Sequence, residues 1–293
     1  GDDRGRPSTL MLGLLSFWYD IQGSEQEARL AAQRGIDVAP FDEHPDTAIC
    51  WFEFAGATAQ VAAQSPEAVN AFRHEVAAVA NMAESDLNWP HVVYLTDASL
   101  HADPSATPAL RRKLTDMAAR LKSPTLMLFS SQFEGHASMT ASPPDFNAAA
   151  TAYARMREQA ERIGDLQSQA GALRGVAMAA TGVGAPDALA RCHDALEALI
   201  DLRYWQKTWQ ALESVTMALA AAGRTEDAAV ILGRIDVQSS GFGVEHDLGF
   251  RAKARALIEA DGGHAEAQLR GSRMSPEEIV TAALAYCAAD ATT

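Results

Sequence analysis

Apolar residues recur at intervals of three and four along this chain, and short breakers bearing Gly or Pro interrupt them. That period places them on one face of an α-helix, and the breakers divide the helices into hairpins. Val, Ile and Thr nowhere alternate in the two-residue rhythm of a strand. Much of the apolar fraction, 48% of the chain, is alanine, which forms helix well and lets helices approach closely. The expected fold is therefore all-α.

The helix starts carry local signals. Ser65-Pro66-Glu67 combines an N-cap, a proline at the first helical position and an acid in the first turn, with Val69, Phe72, Val76 and Val79 on one face. Thr107-Pro108 repeats the start, with Leu110, Leu114, Met117 and Leu121 as its stripe. Pro143-Pro144-Asp145 opens a helix with Phe146, Ala150, Tyr153, Met156, Ala160 and Ile163 inward, and Gly164 as its C-terminal cap.

Two hairpins follow. Leu189, Cys192, Leu196 and Leu199 form one stripe, and Trp205, Trp209, Leu212, Val215 and Leu219 the next. Gly223-Arg224-Thr225-Glu226 makes a turn into Ala228, Ile231, Leu232 and Ile235. The Gly223-to-Ala228 spacing is that of a tetratricopeptide-like turn, and Gly184 with Ala188 is a weaker copy about 39 residues earlier, longer than the usual repeat of about 34. Ser275, Pro276 and Glu278 form a capping box, with Met274 and Ile279 as its hydrophobic staple and Ala283 and Tyr286 inward. A hairpin cannot bury its own apolar face, so stacked neighbours must bury it. The expectation is an α-α superhelix, an irregular tetratricopeptide-like solenoid over 8–293, with a soft break near 142–145. Residues 1–7, which open on Gly1 rather than Met, read as a linker or tag remnant on a piece of a longer protein.

A net charge of −14 argues against direct nucleic-acid contact, which needs clustered Lys and Arg to displace phosphate counterions. The densest basic group, Arg111, Arg112, Lys113, Arg120 and Lys122, reads as a solvated helix face. Cys50, Cys192 and Cys287 are odd in number, far apart and set among apolar neighbours, as reduced thiols in a cytoplasmic protein are. No signal peptide is visible, and the apolar stretch from Leu10 to Tyr19 is about half the roughly 20 residues that span a bilayer.

No motif for catalysis, cofactor or metal stands out. The chain has no G-x-x-x-x-G-K-[ST] phosphate loop and no G-x-S-x-G elbow, and its eight histidines show no ligand spacing. His74 and His193 fall on helices, His44 and His136 near loops. Gly182-Val183-Gly184 and Gly241-Phe242-Gly243 read as turns or flexible connections, and Glu25, Glu27, Asp116, Glu277 and Glu278 as helix-start or solvated acids. Of the large rings, Trp18 and Trp51 are the candidates for recognition on a concave face.

Three segments carry a family resemblance. Phe17-Trp18-Tyr19-Asp20-Ile21-Gln22-Gly23-Ser24-Glu25-Gln26-Glu27-Ala28 resembles the opening hairpin of the helical region in large bacterial signal-transduction ATPases. Ala222-Gly223-Arg224-Thr225-Glu226-Asp227-Ala228-Ala229-Val230-Ile231-Leu232-Gly233 resembles a late hairpin of that region. Arg270-Gly271-Ser272-Arg273-Met274-Ser275-Pro276-Glu277-Glu278-Ile279-Val280 resembles its closing helix. In this family a tetratricopeptide-like region follows a nucleotide-binding switch, beside a nucleotide cyclase, a winged-helix regulator or a LuxR-type DNA-binding domain. The resemblance implies a non-catalytic regulatory or sensor arm of a signal-transduction ATPase or transcriptional regulator. Its partner would be a protein, a peptide, a small effector or the parent's own nucleotide-binding domain. The chain holds none of the ATPase motifs and stops soon after the closing helix, which sets the expectation of a truncated chain or a cyclase-linked or winged-helix parent. Two other readings stand beside it: a free-standing tetratricopeptide-type scaffold for a peptide or protein, and an all-helical enzyme whose site carries no known motif.

Overall fold

The structure, a computed structural model, describes residues 107–239 and 249–288, together with isolated helical positions between Met11 and Thr96. Among the described residues every regular element is helical. The helices are α1 (Thr107–Leu121), α2 (Pro124–Met139), α3 (Phe146–Ile163), α4 (Leu166–Val183) and α5 (Ala188–Asp201). They continue with α6 (Trp205–Ala221), α7 (Thr225–Ser239), α8 (Phe250–Ala260), α9 (Ala265–Ser272) and α10 (Pro276–Ala288). No described helix is long and apolar enough to cross a membrane.

The chain divides into two compact units after Phe133, inside α2. In the first unit Leu110, Leu114 and Met117 of α1 are buried, as their spacing predicts. Leu121 departs from the stripe: it is 49% exposed, because it ends its helix beyond the packed turns. Phe129 and Phe133 stack with centroids 6.4 Å apart, and the Thr115 and Ser130 hydroxyls share a hydrogen bond of 2.9 Å. Arg112, Arg120 and Lys122 of the basic group are exposed, with Arg111 and Lys113 half-buried.

In the second unit each helix packs on the next from α3 to α8, and α9 packs on α7. Alternate helices also touch, α4 with α6 and α6 with α8. The last helix, α10, returns against α5, α6 and α7. Their shared core includes Leu189, Cys192, Leu196, Leu199, Leu212, Val215, Leu219, Ile231, Leu232 and Ile279. Trp205 and Trp209, expected on the inward stripe, are half-buried against its edge. Ile163 is 38% exposed at the last position of α3.

Local chemistry sets the turns. Asp145 and Asp165 cap α3 and α4 by accepting hydrogen bonds from the Ala148 and Ser168 amides, at 2.9 and 3.0 Å. Gly164, Gly184 and Gly223 end α3, α4 and α6 with φ of 72°, 66° and 78°, a region open to glycine because it has no Cβ. Gly182 corrects the sequence reading, because it lies inside α4 rather than in a turn. A Cβ there would meet the Phe146 ring at 2.5 Å, so the missing side chain makes room for α3. His136, expected near a loop, likewise lies within the last turn of α2.

The capping box at α10 is formed in both directions. The Glu278 amide donates to Ser275 Oγ at 3.1 Å, and the Ser275 amide donates to the Glu278 carboxylate at 2.7 Å. Ser275→Ala should lower unfolding free energy by about 1 kcal/mol in urea titration, with an unchanged m-value.

Candidate functional site

Trp18 and Trp51, the ring candidates from the sequence, lie outside the described residues, as do Cys50, His44, His74 and the Gly241–Gly243 segment. The described residues bring together a different set, centred on α6. One side of that helix, Leu212, Val215 and Leu219, is fully buried in the core. The other carries Trp209, Gln210, Glu213, Ser214 and Met217, neighbours at helical spacing.

Gln210 is 9% exposed and Ser214 3%, yet Gln210 Oε1 and Ser214 Oγ have no hydrogen-bond partner. Buried polar atoms are nearly always paired, and leaving one unpaired costs about 1–3 kcal/mol. Two such atoms one turn apart on one helix are therefore unusual. Two arginines on helices packed against α6 also hold a buried unpaired atom. From α7, Arg234 lies over the Trp209 ring at 5.8 Å and donates to Gln238 Oε1 at 3.3 Å, while its buried Nε is unpaired. From α4, Arg174 is placed where Tyr153 of α3, Tyr204 before α6 and Glu213 on α6 all act on it electrostatically.

Arg174 has the least compensated charge in this group. Its Nη1 donates to the Met178 thioether at 3.1 Å, a weak acceptor, and its buried Nε is unpaired. Among the described residues no carboxylate forms an ion pair with it. Burial lowers its pKa from the ordinary arginine value, and Tyr153, Tyr204 and Glu213 oppose that shift. An arginine starts so far above neutrality that it stays charged. The sequence contains a signal for this residue: Arg174 stands alone in Ala170-Gly171-Ala172-Leu173-Arg174-Gly175-Val176-Ala177, an otherwise small and apolar run. A lone cation there needs a reason, which a search for known motifs does not ask for.

A second polar group has the composition of a hydrolytic triad without its wiring. Thr225 at the start of α7 donates through Oγ1 to Asp261 Oδ2. Its Oγ1 also lies 3.0 Å from His264 Nε2, and that same nitrogen is 3.2 Å from Asp261 Oδ2. A relay needs the two ring nitrogens on different partners, so that one orients the ring while the other takes a proton. One nitrogen facing both groups makes a clamp that ties the α8–α9 turn to the start of α7. The hydroxyl of Thr225, then His264, holds the Asp261 carboxyl below the usual carboxylate range.

Cys192 and Cys287 are buried free thiols. Burial pushes the Cys192 thiol up to about 11, against a hydrogen bond with Thr181, so it stays protonated and packs as a small apolar group. Among the described residues no group of His, Cys, Asp and Glu side chains could hold a metal ion. No family model matches the chain, and no curated protein or solved structure matches it.

Proposed function

We propose that this chain is a non-catalytic interaction and regulatory arm of a signal-transduction ATPase or transcriptional regulator, working in the cytoplasm. The observation that carries this reading is the α6 face. There Gln210 Oε1 and Ser214 Oγ are buried without partners, and Arg174 on α4 and Arg234 on α7, the helices packed against α6, each hold a buried Nε that is likewise unpaired. Recognition surfaces hold polar groups in reserve for a partner, whereas a finished structural core pairs them. Contacts between alternate helices, α4 with α6 and α6 with α8, support the finer reading of a tetratricopeptide-like superhelix. The resemblance of the Ala222–Gly233 and Arg270–Val280 segments supports the ATPase parent, whose nucleotide-binding domain is the partner we favour.

The test begins with the gene. A nucleotide-binding domain encoded upstream of Gly1 is the expected result, and its absence overturns the ATPase reading. That domain, expressed separately, should co-elute with this chain in size-exclusion chromatography. A chain that instead binds free peptides and ignores the domain would be a stand-alone scaffold.

A further inference from the structure

Asp261-Gly262 is the one Asp-Gly pair in the chain, and no Asn-Gly pair occurs. An aspartate before glycine can rearrange its own backbone, because glycine has no side chain to shield the amide nitrogen. The Gly262 nitrogen attacks Asp261 Cγ. An N–Cγ bond forms, a Cγ–O bond breaks, and the hydroxyl of the carboxylic acid departs as water with the amide proton. The cyclic imide then takes up water. Where its main-chain carbonyl is the one opened, the original peptide C–N bond breaks and the chain runs on through the β-carboxyl as isoaspartate. Water is the only co-reactant. The turn has room for the ring: the Asp261 side chain is 62% exposed at the end of α8, and a Cβ at Gly262 or Gly263 would meet nothing within 4 Å. Two features hold the reaction back. Ring closure needs the Asp261 Cβ and the Gly262 nitrogen eclipsed about the Cα–C bond, and at ψ 17° they are far from it. The carboxylate is also held by its partners, since Oδ2 accepts from the Thr225 hydroxyl and lies 3.2 Å from His264 Nε2. Those hydrogen bonds favour the ionised form, which has no hydroxyl to expel.

We propose that Asp261 is a site of isoaspartate formation gated by the Thr225–His264 clamp: the turn is inert while the clamp holds the carboxylate and reacts when it opens. The rate then follows the population of the open turn, a local opening that leaves the rest of the fold intact. The change is one-way for the structure. In the product the free carboxylate sits directly on Cα, one methylene short of the Thr225 hydroxyl, and the main chain between α8 and α9 is one methylene longer. The clamp cannot re-form, so the α8–α9 turn loses its tie to the start of α7. The site is separate from the α6 face and stands whether or not the chain is an interaction arm.

The experiment ages the full chain, Thr225→Val and Thr225→Ser side by side for several weeks in mildly acidic buffer. Isoaspartate at position 261 is then measured by digestion with a protease that cuts before aspartate but not before isoaspartate, followed by mass spectrometry. Thr225→Val removes the donor to the carboxylate and should form isoaspartate at position 261 tenfold faster than the wild type or more, a loss typical of a hydrogen bond to a charged group. Thr225→Ser keeps the hydroxyl and should stay within about twofold of the wild type. The other aspartates of the same chain, none followed by glycine, should be unchanged in all three proteins. Equal rates in the wild type and Thr225→Val would overturn the proposal, as would an absence of isoaspartate from both. If circular dichroism shows Thr225→Val to be unfolded, His264→Asn decides the question. Asparagine tolerates the left-handed backbone at that position, φ 43°, and removes the second partner of the carboxylate. That variant should isomerise several-fold faster than the wild type, and a rate equal to the wild type's would overturn the proposal.

Discussion

Gly271→Ala should destabilise this chain by about 3 kcal/mol or more, although alanine is the better helix former by about 1 kcal/mol. Gly271 lies in α9, where a Cβ would stand 1.7 Å from the Val230 carbonyl oxygen on α7. Gly233 is its counterpart on α7, with a Cβ position 2.0 Å from the Gln268 carbonyl oxygen. At both positions the obstacle is backbone, which has no rotamer to swing aside, so the two helices must separate. Gly182 and Gly175 face the Phe146 and Tyr153 rings instead, side chains rather than backbone. The control is Gly171→Ala, whose Cβ would meet only Met156 Cε at 3.8 Å. That variant should be neutral or stabilising by about 0.5–1 kcal/mol. Urea unfolding of both variants checks the account, and a Gly271→Ala protein as stable as Gly171→Ala would refute the close α7–α9 crossing.

Arg224→Ala should cost about 2–3 kcal/mol and loosen α10 before the rest of its unit. Arg224 follows the left-handed Gly223 in the turn between α6 and α7. Its Nη2 pairs with Asp227 at 2.7 Å, within the same segment. Its Nη1 donates to the Tyr286 carbonyl at 2.6 Å, and the guanidinium lies 6.0 Å from the centre of the Tyr286 ring. One side chain thus ties the mid-chain turn to the last helix through a charge-assisted hydrogen bond, partly shielded from solvent. Arg224→Lys should recover less than half of the loss, because an ammonium cannot present the planar fork that serves Asp227 and Tyr286 together. Hydrogen exchange resolved along the chain is the measurement: α10 amides should lose protection in Arg224→Ala while those of α3 and α4 keep theirs. Uniform loss across the whole unit would show that the link is not specific to α10.

The α7–α9 crossing and the Arg224 link are both invisible in the sequence, unlike the caps. Caps and turns were legible because their code is local. Ser275 and Glu278 pair with each other, and Gly164, Gly184 and Gly223 each answer to the backbone angle at their own position. The buried stripes of α5 and α7 were legible for the same reason, since a three-and-four spacing needs no knowledge of the neighbour. The α7–α9 crossing was not, because a glycine inside a helix says only that something is close and never what. The role of Arg224 was hidden similarly, with its carbonyl partner 62 residues away in sequence. At the candidate site the sequence offers two rings, Trp18 and Trp51, and no known motif. The unpaired polar atoms of Gln210 and Ser214 have no sequence signature, since only the packing around α6 turns an ordinary glutamine and serine into buried, unpartnered groups.

The regulatory account comes down to one differential affinity. An arm that holds or releases a nucleotide switch must bind one nucleotide state more tightly than the other, since equal affinity shifts no equilibrium. The direct measurement is the Kd between this chain and the nucleotide-binding domain proposed as its partner, once with a non-hydrolysable ATP analogue bound and once with ADP. The account predicts a difference of tenfold or more, about 1.4 kcal/mol of coupling. Equal affinities in the two states, or no association in either, would contradict it.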